Sequence, residues 1–234
     1  MAQMGRPRNF DRDHAVEQAL HLFWQHGYDA TSLAQLKAGL GGGISAPSFY
    51  AAFGSKEALF DECVQRYLAT YAQVTECLWD ETLLPRKALE TALRQSARMQ
   101  CDDGHPKGCM VALGVMSAPS PENARVTQAL THSRARTRAG IVACVERGIR
   151  AGHLPSTLHA PSMAAVFDSF LQGVSILARD DVPYQVIDAA ISQLLQTWDI
   201  AASTTPPTRA DTPLKNPQTP APDAAHNAHG DTTT

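Results

Sequence analysis

Cys101, His105 and Cys109 follow one another at a spacing that invites a metal site. Three donors are too few for a closed zinc site, and Gly104, Pro106 and Gly108 break any helix that would aim them. No metal and no other cofactor is therefore expected. Cys109 carries a better-motivated chemistry, because it follows Lys107 and stands where it can cap the first turn of a helix. Both features lower a thiol pKa. A redox- or electrophile-sensing role for Cys109 is thus an alternative, set against the plainer and preferred reading of a buried structural cysteine. In "THSRARTRAG", Arg134 and Arg138 lie one turn apart with Arg136 on another face, a pattern that suits a solvated helix surface better than an anion site. Gly39, Gly41, Gly42 and Gly43 suggest a phosphate loop, but position 44 is Ile, a helical pattern precedes them, and the "GSK" after Phe53 lacks the required order. No Ser/His/Asp or Cys/His set can be placed in one site from spacing, so no catalytic residue is assigned and the chain is not read as an enzyme.

Those residues need a scaffold, and 234 residues with 44% apolar content can supply a sizeable core. The formal charge of -3 excludes a generally basic nucleic-acid coat while leaving room for a local patch. The five cysteines have no framework spacing, the N-terminus "MAQMGRPRNFDRD" has no apolar signal core, and no run approaches the ~20 apolar residues of a membrane span. A cytoplasmic protein in a reducing compartment is the expectation. From position 202 onward the sequence "ASTTPPTRADTPLKNPQTPAPDAAHNAHGDTTT" lacks Val, Ile, Met and aromatics. It is expected to be a disordered tail, 201–234, in which His226 and His229 are incidental.

Everything ahead of the tail reads as helix, giving an all-α fold. Val16, Leu20, Phe23 and Trp24 form a stripe that Asp11 can cap; Leu33, Leu36 and Leu40 form another, opened by Thr31. Phe60, Val64, Tyr67, Tyr71 and Val74 mark a helix begun near Lys56, and Leu89, Leu93 and Ala97 follow Pro85. Met110, Leu113 and Met116 lie in an apolar segment, and a long helix is expected over 122–151. The last two helices, over 163–177 and 186–198, are apolar on more than one face. A dimer pairing them through Phe167, Phe170, Leu171, Val174, Ile187, Ile191, Leu194 and Trp198 would cover that surface.

One short helix is unusual. In "SAPSFYAAFGSKEALF", Ser45 suits an N-cap and Pro47 a first turn, while Phe49 and Phe53 point to one side. The other side offers Pro47, Ser48 and Ala51, with Tyr50 on the flank. A helix held by aromatics and nearly bare outside can approach a large smooth partner, and the major groove of DNA admits one α-helix. No acidic residue occurs between Asp29 and Glu57, whereas Lys37 and Lys56 do. Thr31, Ser32 and Ser45 gather hydroxyls and free N–H groups at helix starts where phosphates can sit, and Arg6 and Arg8 in "GRPR" suit a basic arm in the minor groove. A helical interaction protein without DNA binding is the rival reading, but it leaves the acid-free window and the arginine pair unexplained.

With "AVEQALHLFWQHGYDATSLAQL" and "PSFYAAFGSKEALFDECV", residues 11–67 resemble the DNA-binding domain of TetR/AcrR-family transcriptional regulators. The resemblance implies that the short helix reads an operator, that Thr31, Tyr50 and Lys56 contact phosphates, and that Ala46, Pro47 and Ser48 lie nearest the bases. It further implies a helix-turn-helix unit over 11–55 behind an arm at 1–10, and an effector-binding and dimerisation domain over 56–200. The expected activity is that of a repressor which binds a near-palindromic double-stranded operator as a homodimer and is released by a small molecule. Met99, Cys109, Met110, Leu113, Met116, Phe167 and Phe170 are the expected lining of its pocket, taken to be mainly apolar. The sequence departs from the family at "GLGGGIS", where the turn before the reading helix is longer than the usual single-glycine form.

Overall fold

A computed structural model of the chain describes residues 10–114 and 123–204. Arg6, Arg8, Met116 and the tail from position 205 onward, with His226 and His229, lie outside the described residues. The described elements are α1 (Arg12–His26), α2 (Leu33–Gly39), α3 (Ala46–Phe53), α4 (Lys56–Ala69), a 3-10 helix (Tyr71–Trp79), α5 (Pro85–Cys101), α6 (Met110–Leu113), α7 (Gln128–Arg150), α8 (Ala160–Arg179) and α9 (Tyr184–Ser203). Among the described residues there is no strand, as the helical periodicity requires.

Local chemistry sets the helix ends in the N-terminal part. The Asp11 carboxylate accepts from the His14 N–H at 3.0 Å to start α1. Ser32 and Gln35 form a reciprocal capping box at α2, with the Ser32 N–H donating to Gln35 Oε1 at 2.7 Å. Ser45 and Ser55 cap α3 and α4 in the same manner. Two cores result. One joins Val16, Leu20, Phe23 and Trp24 of α1 to Leu36, Leu40, Phe49, Phe53 and the buried side of α4 down to Tyr67. The other lies around α5, which packs against the 3-10 helix, α7, α8 and α9.

Several boundaries differ from those read in the sequence. The helix begun at Lys56 ends at Ala69, because Thr70 leaves helical geometry and its N–H closes onto the Tyr67 carbonyl; Tyr71 and Val74 then sit in the 3-10 helix. α7 starts at Gln128 rather than 122, behind turns at Asn123–Thr127 closed by Val126 N–H to Asn123 O and Leu130 N–H to Thr127 O. The apolar segment at Met110 makes a single turn of helix, α6, that reaches Gly114.

By length and composition, α8 is long and apolar enough to cross a membrane, contrary to the expectation that no segment would be. Its packing is that of a core helix: Met163, Phe167, Leu171 and Val174 are buried in the larger cluster, and the buried Asp168 is ion-paired with Arg138 at 2.7 Å.

Where α7 meets α9, Gly148 leaves no room for a side chain, since an added Cβ would lie 2.8 Å from the Trp198 ring and 3.0 Å from Leu154. Gly148→Ala is expected to cost about 1–3 kcal/mol by overpacking, read as a lower urea midpoint with unchanged slope. An unshifted midpoint would mean that Trp198 has another place to go.

Candidate nucleic-acid interface and ligand cavity

α3 is held by its inner face and free on its outer one. Phe49 is fully buried and Phe53 nearly so, whereas Pro47, Ser48 and Ala51 are exposed and Tyr50 is 51% exposed. Ala46 is half-buried, at the edge of the free face. Ser45 Oγ accepts from the Ser48 N–H at 3.2 Å and lies 2.8 Å from the Ser48 hydroxyl, so the first turn is locally saturated.

The long turn before α3 is ordered by specific bonds. The Gly41 N–H donates to Gln18 Oε1 at 2.8 Å, tying the turn to α1, and the Ile44 N–H donates to the Lys37 carbonyl at 2.8 Å. Gly41, Gly42 and Gly43 take φ of 57°, 77° and 101°, a region L side chains disfavour by roughly 1–2 kcal/mol per residue. The additional glycines therefore let the chain turn in left-handed geometry instead of lengthening α2.

Arg12, which sequence reasoning passed over, braces α3 from the α1 side. Its Nε donates to the Ala52 carbonyl at 3.2 Å, its two terminal nitrogens grip Glu62 at 2.7 and 2.6 Å, and its guanidinium lies 5.3 Å from the Phe53 ring centre. Nothing in its spacing marks it; only the fold brings α1, α3 and α4 to one guanidinium.

The phosphate-contact candidates divide. Thr31 is a correction: it is fully buried, and its hydroxyl donates inward to the Gly27 carbonyl at 2.6 Å. The cap of α2 is Ser32, which is exposed. Lys56 stands at the start of α4 with its ammonium 4.2 Å from the Tyr28 ring centre, and desolvation there holds its pKa below the usual lysine value. Ser45 and Tyr50 are exposed beside the free face.

An aromatic joint packs the N-terminal core against the loop between α5 and α6. The Trp24 ring stacks on His105 at 4.5 Å and meets Tyr67 and Tyr71 edge-on at 4.8 and 5.0 Å, while its Nε1 donates to the Gly108 carbonyl at 3.2 Å. Arg179, the last residue of α8, donates to the Trp24 carbonyl at 2.7 Å and to the Lys107 carbonyl at 3.4 Å. His105 thus belongs to an aromatic stack, and no group of three potential metal ligands occurs among the described residues.

Beyond this joint lies a small cavity of about 40 Å³ between the 3-10 helix and α5, α7 and α8. Met99 and Cys109 line it. Met110 and Phe167 do not: they are consumed by the two cores, and Leu113 and Phe170 are likewise absent from the wall. The surface facing the cavity is mainly apolar, with Val111 and Leu171 in the wall, and Ser96, Gln100, Arg134, Thr137 and Gln172 place polar groups among them. Gln100 is a buried relay, accepting from the Ser175 hydroxyl at 2.7 Å and donating to Ser96 Oγ at 3.0 Å.

The two features expected to lower the Cys109 pKa do not prevail. Lys107 turns its ammonium to the Cys101 carbonyl and the Asp103 carboxylate. Desolvation pushes the Cys109 thiol up, outweighing the 3.2 Å hydrogen bond from Tyr67 and the backbone N–H groups of α6.

The expected dimer residues also need correction. Phe167, Leu171, Val174, Ile187, Ile191 and Trp198 are buried within their own chain against α5 and α7, and Phe170 and Leu194 are half-buried. The apolar side chains that α8 and α9 leave outside are Val166, Ile176, Val186 and Ile200, the last two 56% and 65% exposed. The exposed Gly173 lies between the first two along α8.

Comparison with known proteins follows this geometry. The family model described as bacterial regulatory proteins, tetR family, matches residues 15–63, which span α1 to α3 and the first half of α4. The HTH-type transcriptional repressor ComR of Escherichia coli (strain K12) is 30% identical over 198 residues, covering 83% of this chain and 91% of the relative. The HTH-type transcriptional repressor BdcR of the same strain is 40% identical over 114 residues, 48% of this chain and 56% of its own. Among solved structures, a cysteine mutant of the TetR family regulator CifR, complexed with a 26-base-pair double-stranded operator DNA, is 34% identical with a TM-score of 0.72, covering 82% of this chain and all of that one. The reduced form of Escherichia coli NemR is similar in fold alone, at 21% identity and a TM-score of 0.60 over 78% of this chain and 94% of its own.

Proposed function

Since this chain belongs to the TetR family of transcriptional regulators, we propose that it is a repressor that grips a near-palindromic operator as a homodimer and lets go when a small molecule enters the cavity. It is a DNA-binding regulator and not an enzyme. The observation that carries the proposal is the exposed, nearly side-chain-free face of α3 over a buried Phe49–Phe53 anchor. In this reading α3 lies in the major groove with Ala46, Pro47 and Ser48 nearest the bases. Ser32, Ser45, Tyr50 and Lys56 hold phosphates, and Arg6 and Arg8 add charge from ahead of α1. The DNA-binding unit runs through α4, whose inner face shares the N-terminal core.

Pairing runs through the outer faces of α8 and α9, where Val166, Ile176, Val186 and Ile200 need cover and the small Gly173 permits close approach. Effector binding favours a conformer in which the two reading helices no longer match the half-site spacing. A cytoplasmic location follows from the DNA partner.

The test is selection of operator fragments with the full-length protein, followed by titration at several salt concentrations. The selected site should be near-palindromic, and log affinity should fall with log salt by about 0.9 per phosphate contact. Binding that ignores both sequence and salt would sink the proposal.

A further inference from the structure

We infer that the cavity takes a small molecule bearing a carboxylate, and that Arg134 is the residue that receives it; this rests on the reading of the chain as an effector-controlled regulator. Two arginines one turn apart on α7 are treated unequally by the fold. Arg138 donates to the buried Asp168 at 2.7 Å, so its charge is balanced within the fold. Arg134 lies on the cavity wall and makes no ion pair among the described residues. Its guanidinium donates only to neutral acceptors, the Val111 carbonyl at 3.0 Å and the Thr131 hydroxyl at 3.3 Å. A guanidinium carries five N–H donors in a planar fork, so most of its capacity is left for a ligand.

Asp168 is near enough for its charge to favour the Arg134 guanidinium, but its hydrogen bonds go to Arg138 and Gln172 and none goes to Arg134. The Cys109 thiol stays protonated, because desolvation pushes its pKa up. Gln172 donates to Asp168 at 3.3 Å, and so adds to the hold on the carboxylate that already serves Arg138. Arg134 is half-buried, and the loss of water lowers its pKa, the sign of a charge the site does not compensate. A half-buried unpaired charge is costly unless something neutralises it, and a carboxylate matches the fork with two parallel hydrogen bonds.

The rest of the wall limits the ligand. Met99, Val111 and Leu171 give an apolar side, while Ser96 and Thr137 offer hydroxyls. A volume of about 40 Å³ admits the carboxylate group itself, roughly three non-hydrogen atoms, so the rest of the ligand extends into the neighbouring groove. The neighbouring groove lined by Ala72, Thr75, Ser133 and Thr137, which the cavity shares, gives it an entrance toward Trp79 and Arg136.

The experiment uses the full-length protein and four sodium carboxylates (propionate, butyrate, hexanoate and benzoate), each beside its primary amide, with inorganic phosphate as a further anion. Thermal melting is recorded at millimolar ligand, and operator binding is measured on the same preparations. At least one carboxylate should raise the melting temperature saturably while its amide does not. Arg134→Gln should weaken that carboxylate at least about tenfold. Arg134→Lys, which keeps the charge without the fork, should fall between, and it stands in if the Gln variant does not fold.

A protein that binds operator but responds to no carboxylate overturns the inference and leaves the regulator reading intact. Equal responses to acid and amide, an equal response to phosphate, or full affinity in Arg134→Gln overturn it as well. A carboxylate shift lost in Arg134→Gln, in a protein that binds no DNA, would support the cavity assignment while the regulator reading fails.

Discussion

Replacing Ser48 by Glu is expected to weaken operator binding by about a hundredfold or more while leaving the protein folded. Ser48 occupies the third position of α3, where its N–H is already capped by Ser45. A glutamate there completes a capping box and favours the helix start, so the melting temperature should hold or rise slightly. The same carboxylate would stand on the exposed face proposed to enter the groove, against phosphates and base-edge acceptors. Lost readout is worth about 1–3 kcal/mol per contact, and a dimer carries the defect at both half-sites. Anisotropy with labelled operator, beside a thermal melt, separates the two effects. An affinity within about threefold of wild type, a change of only ~0.6 kcal/mol, would remove α3 as the reading helix.

The second large effect is expected at Trp24. Trp24→Ala should cost about 3–5 kcal/mol, because the ring is almost completely buried. Trp24→Phe keeps most of the aromatic contact and gives up the Nε1 bond to the Gly108 carbonyl, for a cost of about 1–2 kcal/mol. Urea denaturation at fixed protein concentration reads both. The Phe variant also tests communication: with its fold intact, it should need more effector to release operator than wild type does. If Ala costs less than about 1 kcal/mol, the stack on His105 is not what holds the α5–α6 loop to the N-terminal core.

Much of this was readable from the residues, for reasons that also mark where reading stopped. The stripe Val16–Leu20–Phe23–Trp24 and the caps Asp11 and Ser45 are local signals, and the fold keeps them. Thr31 misled because hydroxyls open helices often, whereas here the residue one position later opens α2 and Thr31 bonds back to the turn at Gly27. The wide apolar faces of α8 and α9 correctly demanded several neighbours. Periodicity counts neighbours without saying whose chain they come from, and α5 and α7 of the same chain take most of that surface. Arg134 shows the same limit. Its spacing from Arg138 was visible, but only the fold shows that Asp168 is hydrogen-bonded to Arg138 while Arg134 donates to neutral acceptors.

The bond from Arg179 to the Trp24 carbonyl gives α8 a mechanical meaning. This 20-residue helix is about 30 Å long. It borders the cavity at Leu171 and Gln172, and it ends on the reading domain. From Leu171 to Arg179 the helix runs about 12 Å, so a tilt of about 5° at the cavity displaces Arg179 by roughly 1 Å. A shift of that size takes the 2.7 Å bond to the Trp24 carbonyl out of hydrogen-bond range. Under the proposed function, a ligand that rocks α8 slightly would act on a lever arm already fastened to the N-terminal domain.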